Sequence, residues 1–248
     1  MKNPIIDRLL LKANLWDLWD RLETDQKNGL PNPPLQVPPP QGAPLIDLPS
    51  IDEIDLGDMP LREAIRRRQS YRTYNQQPLS LPELSFLLWA TQGVKALVQG
   101  GAVVRRTVPS AGSRHPFETY LLVQRVEGLQ MGIYRYLSLE HQLCLLRSDP
   151  DLPARSTSAC ANFAGEAAVV FAWTALPYRT EWRYGAIAPK LISLDAGHLC
   201  QNLYLAVAAI GAGTCAVAAY HQDEMDDLLG VDQLDEFTIY CAPVGKVA

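Results

Sequence analysis

Apolar positions change their spacing along the 248-residue chain, and each change marks an element. Residues 4–28 place Ile5, Ile6, Leu9, Leu10, Leu15, Trp16, Leu18, Trp19 and Leu22 mainly three and four apart, which predicts an amphipathic helix. Prolines then stand at 31, 33, 34, 38, 39, 40, 44 and 49, a density that forbids helix and predicts an extended strap lying across a neighbouring surface or a second subunit. A compact domain is expected from Asp58, which can cap a helix with Pro60 in its first turn and Leu61 and Ile65 facing the core. Ser80-Leu81-Pro82-Glu83 reads as a capping box, followed by Leu84, Leu87, Leu88 and Thr91 on one face and Gly93 as the stop.

Beyond Gly112 the period shortens. Tyr120–Gln124, Gly132–Tyr136, Gln142–Leu146 and Ala167–Trp173 are β-branched or aromatic runs separated by turns and predict strands. Pro189–Ile210 predicts a long core helix, Thr214–Ala219 a strand, Asp223–Leu229 a short helix ended by Gly230, and Phe237–Val244 a last strand. Helices and strands do not alternate regularly, so the expected class is α+β. Two units are expected: an arm over residues 1–57 and a domain over 58–248.

Twenty-two Lys and Arg against 27 Asp and Glu give a net charge of −5, with no basic run, so nucleic acid is not an expected partner. Leu199–Tyr220 lacks charge, but Gln201, Asn202, Gly211, Gly213 and Thr214 break it into a buried helix and a buried strand, so no membrane span is expected. The start shows no secretory signal, which leaves a cytoplasmic location as the default. Five scattered cysteines (144, 160, 200, 215 and 241) without a C-x-x-C pair predict buried thiols and no metal site.

Three segments are candidates for chemistry. Ile210-Gly211-Ala212-Gly213-Thr214-Cys215-Ala216 formally fits a dinucleotide fingerprint, but a helix precedes it and a strand follows, the reverse of the order that such a turn needs. Its glycines still imply a close approach, by another element or by a flat ligand. Arg66, Arg67, Arg68, Ser70 and Arg72 lie where a helix gives way to irregular chain; Arg68 and Ser70 offer a charged fork and a hydroxyl suited to phosphate oxygens. The small side chains of Pro109-Ser110-Ala111-Gly112-Ser113 leave backbone amides and hydroxyls to line an aromatic ligand's edge, or simply make a turn.

Taken in order, these segments resemble the FMN-dependent nitroreductase superfamily: Arg68-Gln69-Ser70-Tyr71-Arg72 is similar to its arginine-rich motif, Pro109–Gly112 to its flavin-edge loop, and Ile210–Gly213 to its Gly-rich turn. Arg106–Gly112, Gly132–Tyr136 and Leu194-Asp195-Ala196-Gly197-His198 most resemble the branch of azoline dehydrogenases, which oxidise thiazoline and oxazoline rings in peptides. The resemblance implies a mostly antiparallel sheet flanked by helices, and a homodimer with FMN at the subunit interface. It implies Arg68 and Ser70 on the phosphate, with Gln69 beside them where a basic residue is common, and Lys246 as a helper. Arg72 would lie at the flavin's pyrimidine edge, Pro109, Ser110, Ala111, Gly112 and Ser113 along the ring, and Gly211, Ala212 and Gly213 near N5.

The branch's Lys-Tyr pair for proton removal matches Trp182-Arg183-Tyr184-Gly185, so Arg183 and Tyr184 are the candidate catalytic residues. Arginine stays protonated, so Arg183 is no base, whereas Tyr184 can relay a proton or make a structural contact. His115 and His198 are expected to be structural. Three readings remain open: a dehydrogenase of an azoline-type heterocycle in a small molecule or peptide, a general nitro or quinone reductase with NAD(P)H as donor, and a non-catalytic scaffold.

Overall fold

The computed structural model describes residues 11–247, and its frame is a seven-stranded, fully antiparallel sheet. In chain order the strands are β1 (Leu45–Asp47), a separate hairpin of β2 (Val94–Val98) and β3 (Val103–Arg106), then β4 (Phe117–Val123), β5 (Gly132–Leu137), β6 (Gln142–Ser148), β7 (Val169–Ala175), β8 (Ala212–Thr214) and β9 (Phe237–Lys246). The large sheet has the order β1-β6-β5-β4-β7-β9-β8. Six α-helices accompany it among the described residues: α1 (Leu61–Arg67), α2 (Leu81–Gln92), α3 (Leu152–Ala159), α4 (Tyr178–Tyr184), α5 (Ala188–Ala209) and α6 (Gln222–Leu229). The α+β expectation and the mostly antiparallel sheet hold.

Both faces of the central strands are covered, and period-two alternation sorts their side chains. Leu121, Val123, Val169, Phe171, Trp173, Ala242 and Val244 face the layer of α2 and α5, while Tyr120, Leu122, Val170, Ala172 and Cys241 face α3 and α6. The capping box on α2 is complete: Glu83 N donates to Ser80 Oγ at 3.3 Å, and Ser80 N to Glu83 Oε2 at 2.9 Å. All five cysteines are buried and unpaired.

Four expectations need correction. Leu61 and Ile65 are 65% and 58% exposed, because α1 rests on α5 through the small side chain of Ala64. Its cap position is Pro60, and no Asp58 side chain serves it. The strand expected over Thr214–Ala219 ends at Thr214, since the Ala216 amide turns away to Tyr204 and pairing with β9 resumes only at Val217–Cys241. The N-terminal helix is, in its described part, a 3-10 turn over Asn14–Arg21 that buries no residue; Ile5, Ile6, Leu9 and Leu10 lie outside the described residues.

The proline strap lies across this chain's own body. Its end forms β1, the edge strand beside β6, and its middle is held by buried charge. Glu118 Oε1 accepts the Val37 amide at 2.9 Å and Arg179 Nη2 at 2.5 Å, both side chains being almost fully buried. Arg135 Nη2 donates to the carbonyls of Val37 and Pro38, and Arg114 Nη2 to Asn32 Oδ1 at 2.6 Å. Extended proline-rich backbone has carbonyls without internal partners, and Arg135 satisfies those of Val37 and Pro38.

Removing one member of a buried pair strands the other. Glu118→Ala is expected to cost about 3–5 kcal/mol in urea unfolding and to open residues 31–40 to proteolysis.

Candidate active site

Arg68 ends α1, where the helix stops and residues 70–71 run beside β8. The Tyr71 amide donates to the Thr214 carbonyl at 2.9 Å, which lashes the arginine-rich motif to the Gly-rich turn. Arg68, Gln69, Ser70 and Arg72 are all exposed there. Arg66 and Arg67 are engaged by Glu63, each at 2.7 Å, whereas the Arg68 guanidinium lies 5.5 Å over the Tyr204 ring. Ser70 Oγ is 3.0 Å from the Tyr204 hydroxyl, which also accepts the Ala216 amide at 2.9 Å. A cavity of about 310 Å³ opens between Arg68, Gln69, Tyr71, Tyr204 and Gly211.

The two glycines of the turn have different reasons. A Cβ on Gly213 would meet the Tyr71 ring at 2.7 Å and the Val247 side chain at 2.6 Å, so that glycine admits a neighbouring element. Gly211 has φ +65° and nothing within 4 Å of an added Cβ, so its surface is open to a ligand. Ala212, between them, is buried and paired with Lys246. Strand alternation turns the Lys246 side chain to the same face as Ala242 and Val244, over the core. There its ammonium pairs with Glu83 and donates to the Ile210 carbonyl at 3.3 Å.

The Pro109–Ser113 loop is built by Asp195 of α5. Ser110 Oγ donates to Asp195 Oδ2 at 2.6 Å, the Ala111 amide donates to the same carboxylate at 3.2 Å, and Ser110 Oγ accepts the His115 amide at 2.9 Å. The Ser113 amide donates to the Ser110 carbonyl. The Ser110 hydroxyl and the Ala111 amide therefore shape the loop through Asp195 and His115. The remaining edge is the backbone at Gly112, with φ +56°, and the Ser113 side chain.

Arg183 and Tyr184 reach that edge. A Cβ on Gly112 would stand 2.6 Å from the Tyr184 hydroxyl and 3.0 Å from Arg183 Cδ, so only glycine allows this approach. The guanidinium of Arg183 lies 5.5 Å over the Tyr184 ring, and its Nε is buried without a hydrogen-bond partner among the described residues. Burial beside Arg106 and Arg114 pushes His115 down to about 3, so it is neutral at pH 7. His198 is half exposed, with Nδ1 3.8 Å from Asp195.

The structure thus gathers the candidate residues into two groups: Arg68, Gln69 and Ser70 with Gly211, and Gly112 and Ser113 with Arg183 and Tyr184. They sit at separate places along α5, since Asp195, which holds the Gly112 loop, and Tyr204, which touches Arg68 and Ser70, are nine residues, or about 13 Å, apart along it. The role of Asp195, quoted above only as part of a resembling segment, and Tyr204 altogether escaped the sequence reading. Asp195 is a lone carboxylate in an apolar helix, and Tyr204 is a polar-tipped ring in another stretch of it; each was a signal for a buried hydrogen-bonded role.

Comparison with known proteins decides the lineage: the Nitroreductase family profile matches residues 65–246. The chain belongs to that family. This nitroreductase-family chain is 32% identical over 202 residues to a nitroreductase-family protein, MJ1384, of Methanocaldococcus jannaschii, covering 81% of this chain and 96% of that one. It superposes on a nitroreductase-type crystal structure from Ralstonia eutropha JMP134 with a TM-score of 0.70 and 27% identity, over 86% of this chain and 96% of the other. It is also 27% identical over 148 residues to the trifolitoxin-processing protein TfxB of Rhizobium leguminosarum bv. trifolii; that match covers 55% of this chain and 38% of TfxB. The kinship places the chain among the oxidoreductases of the nitroreductase superfamily. Among the described residues, no helix is long and apolar enough to cross a membrane, and no three His, Cys, Asp or Glu side chains cluster to hold a metal.

Burial raises the Asp195 carboxyl above its ordinary range, against the hydrogen bonds from Ser110 and Ala111 that lower it. A carboxyl with a raised folded-state pKa gives its full stabilisation below 3.8 and loses it as pH rises through the raised value. Asp195→Asn cannot ionise. In urea unfolding across that window, the stability of wild type minus Asp195→Asn is expected to fall as pH rises.

Proposed function

We propose that this protein is an FMN-dependent dehydrogenase that oxidises an azoline-type ring, carried by a peptide or small molecule, to its aromatic form. The observation that carries the reading is the Tyr184 hydroxyl at Gly112, on the loop edge where the family's flavin would lie. Similarity to a trifolitoxin-processing protein supports a peptide-tailoring role over a general one. So does an apolar cavity of about 780 Å³ beneath the proline strap, lined by Pro34, Pro38, Ile192 and Glu181, the last one helical turn from Tyr184.

The residues present fit FMN. Arg68 and Ser70 offer a cation and a hydroxyl on the Tyr204 face for the phosphate, Gly211 leaves a surface open to a flat ring, and exposed Arg72 follows on the same segment. Lys246 is held by Glu83, so the phosphate relies on Arg68, with Gln69 as a neutral neighbour. When bound, FMN supplies the acceptor for the two electrons leaving the substrate. Tyr184 receives or relays the substrate's ring proton at its hydroxyl, and Arg183 stacks on the Tyr184 ring and fixes its orientation.

In this reading residues 58–248 form the cofactor domain and 1–57 the arm, and two copies combine so that Arg68 with Gly211 of one faces Gly112 with Tyr184 of the other. The homodimer is supported by the distance between the two groups along α5 and by exposed Leu61 beside a groove of about 390 Å³ lined by Met59, Phe86, Trp89 and Leu205.

The reductase reading, with NAD(P)H as donor, is favoured by the nitroreductase-type relatives over the full domain. The protein as purified is expected to be yellow, to release FMN, and to resist bleaching by anaerobic NADPH; bleaching would favour the reductase, and a colourless protein that refuses FMN the scaffold. Arg68→Ala should weaken FMN binding roughly 10- to 100-fold, as loss of a charge-assisted hydrogen bond does. Tyr184→Phe should keep FMN yet oxidise a peptide azoline on the order of 10²–10⁴ times more slowly, the range for a lost proton-transfer group.

A further inference from the structure

The 3-10 turn over Asn14–Arg21 carries two indoles, and both rest on Tyr184. Trp19 lies 5.6 Å from the Tyr184 ring at 41°, Trp16 lies 6.0 Å away at 67°, and the two indoles are 5.3 Å apart. Tyr184 is 8% exposed in consequence, although it belongs to no hydrophobic cluster of the sheet. Its hydroxyl points to Gly112 while its ring is roofed by the arm.

The roof is lightly attached. None of the residues in the turn is buried, and Trp16 is 40% exposed. The principal tether is Lys27, whose ammonium donates to the Trp19 and Leu22 carbonyls at 2.7 and 2.8 Å and lies 5.1 Å from the Trp19 ring. The strap that follows is fixed by buried charge at Val37. Among the described residues the turn is held by ring contacts and one exposed lysine and is hinged on a firmly anchored stretch, an arrangement that opens at low cost.

We infer that Trp16 and Trp19 form a lid over Tyr184 and select which substrates reach it. The selection rests on the reading of Tyr184 as the proton-handling residue. A planar ring entering beside Tyr184 replaces the stacking that the indoles give up, whereas an aliphatic group does not, and a bulky ring requires the lid to lift further.

The test uses the full chain as purified and needs no turnover for its first readout. Tetranitromethane nitration of Tyr184 is followed by mass on the tryptic peptide Tyr184–Lys190. Trp16→Ala/Trp19→Ala should nitrate about tenfold or more faster than wild type, as local opening governs access, and Lys27→Ala should fall between. Unchanged unfolding midpoints would show that the fold survives. Unchanged nitration overturns the lid. The second readout reduces the bound flavin anaerobically with one equivalent of dithionite and compares the rates at which anthraquinone-2-sulfonate and menadione reoxidise it; the ratio of the first to the second should rise in the double variant, and faster nitration with an unchanged ratio overturns the role in selection. A fully active Tyr184→Phe would remove the catalytic reading of Tyr184 without altering the nitration result, so the two failures are distinguishable.

Discussion

The carboxylate of Glu118 joins three parts of the chain: the strap through Val37, the sheet through β4, and α4 through Arg179. Burying such a charge is tolerable only with good partners, and Glu118 has an amide and a guanidinium on one oxygen. The Arg179 carbonyl in turn accepts Arg114 Nε, whose guanidinium stacks 4.7 Å over Trp182 and reaches Asn32. Trp182 Nε1 donates to the Leu30 carbonyl. The helix that ends in Tyr184 is thereby clasped to the arm on one side and to the sheet on the other.

A second organising element is α5. It presents Asp195 to the Pro109–Ser113 loop at one place and Tyr204 to Arg68 and Ser70 at another, while Leu199, Leu203 and Val207 pack on the sheet. Its polar groups are few, and each fixes a loop that the hydrophobic core alone would leave undefined. Asp195 shows the trade: a carboxylate set into an apolar surface is costly, and it is offset by hydrogen bonds that shape the glycine edge beneath Tyr184.

Much of this was legible in the residue pattern. The capping box at Ser80, the αL stop at Gly230 and the long helix before Gly211 are local signals, and they hold because nothing distant overrides them. The three family segments could be seen in order, but how they group could not: that Arg183 and Tyr184 meet Gly112, and that Ser70 meets Tyr204, follows from contacts across more than 70 residues. Leu61 and Ile65 show the limit of periodicity, which identifies an apolar stripe without saying whether the chain's own core covers it. Strands β1, β2 and β3 escaped because they are short and sit at edges, where composition carries little information.

The strap's partners also set an order of events in synthesis and folding. Val37 meets a carboxylate 81 residues downstream, and Gln36 meets Glu140 across 104. An arm that leaves the ribosome before these partners must therefore wait, as an open polyproline coil, until β4 to β6 have been made. High proline content suits that wait, since it resists collapse and aggregation while keeping the chain extended enough to dock late.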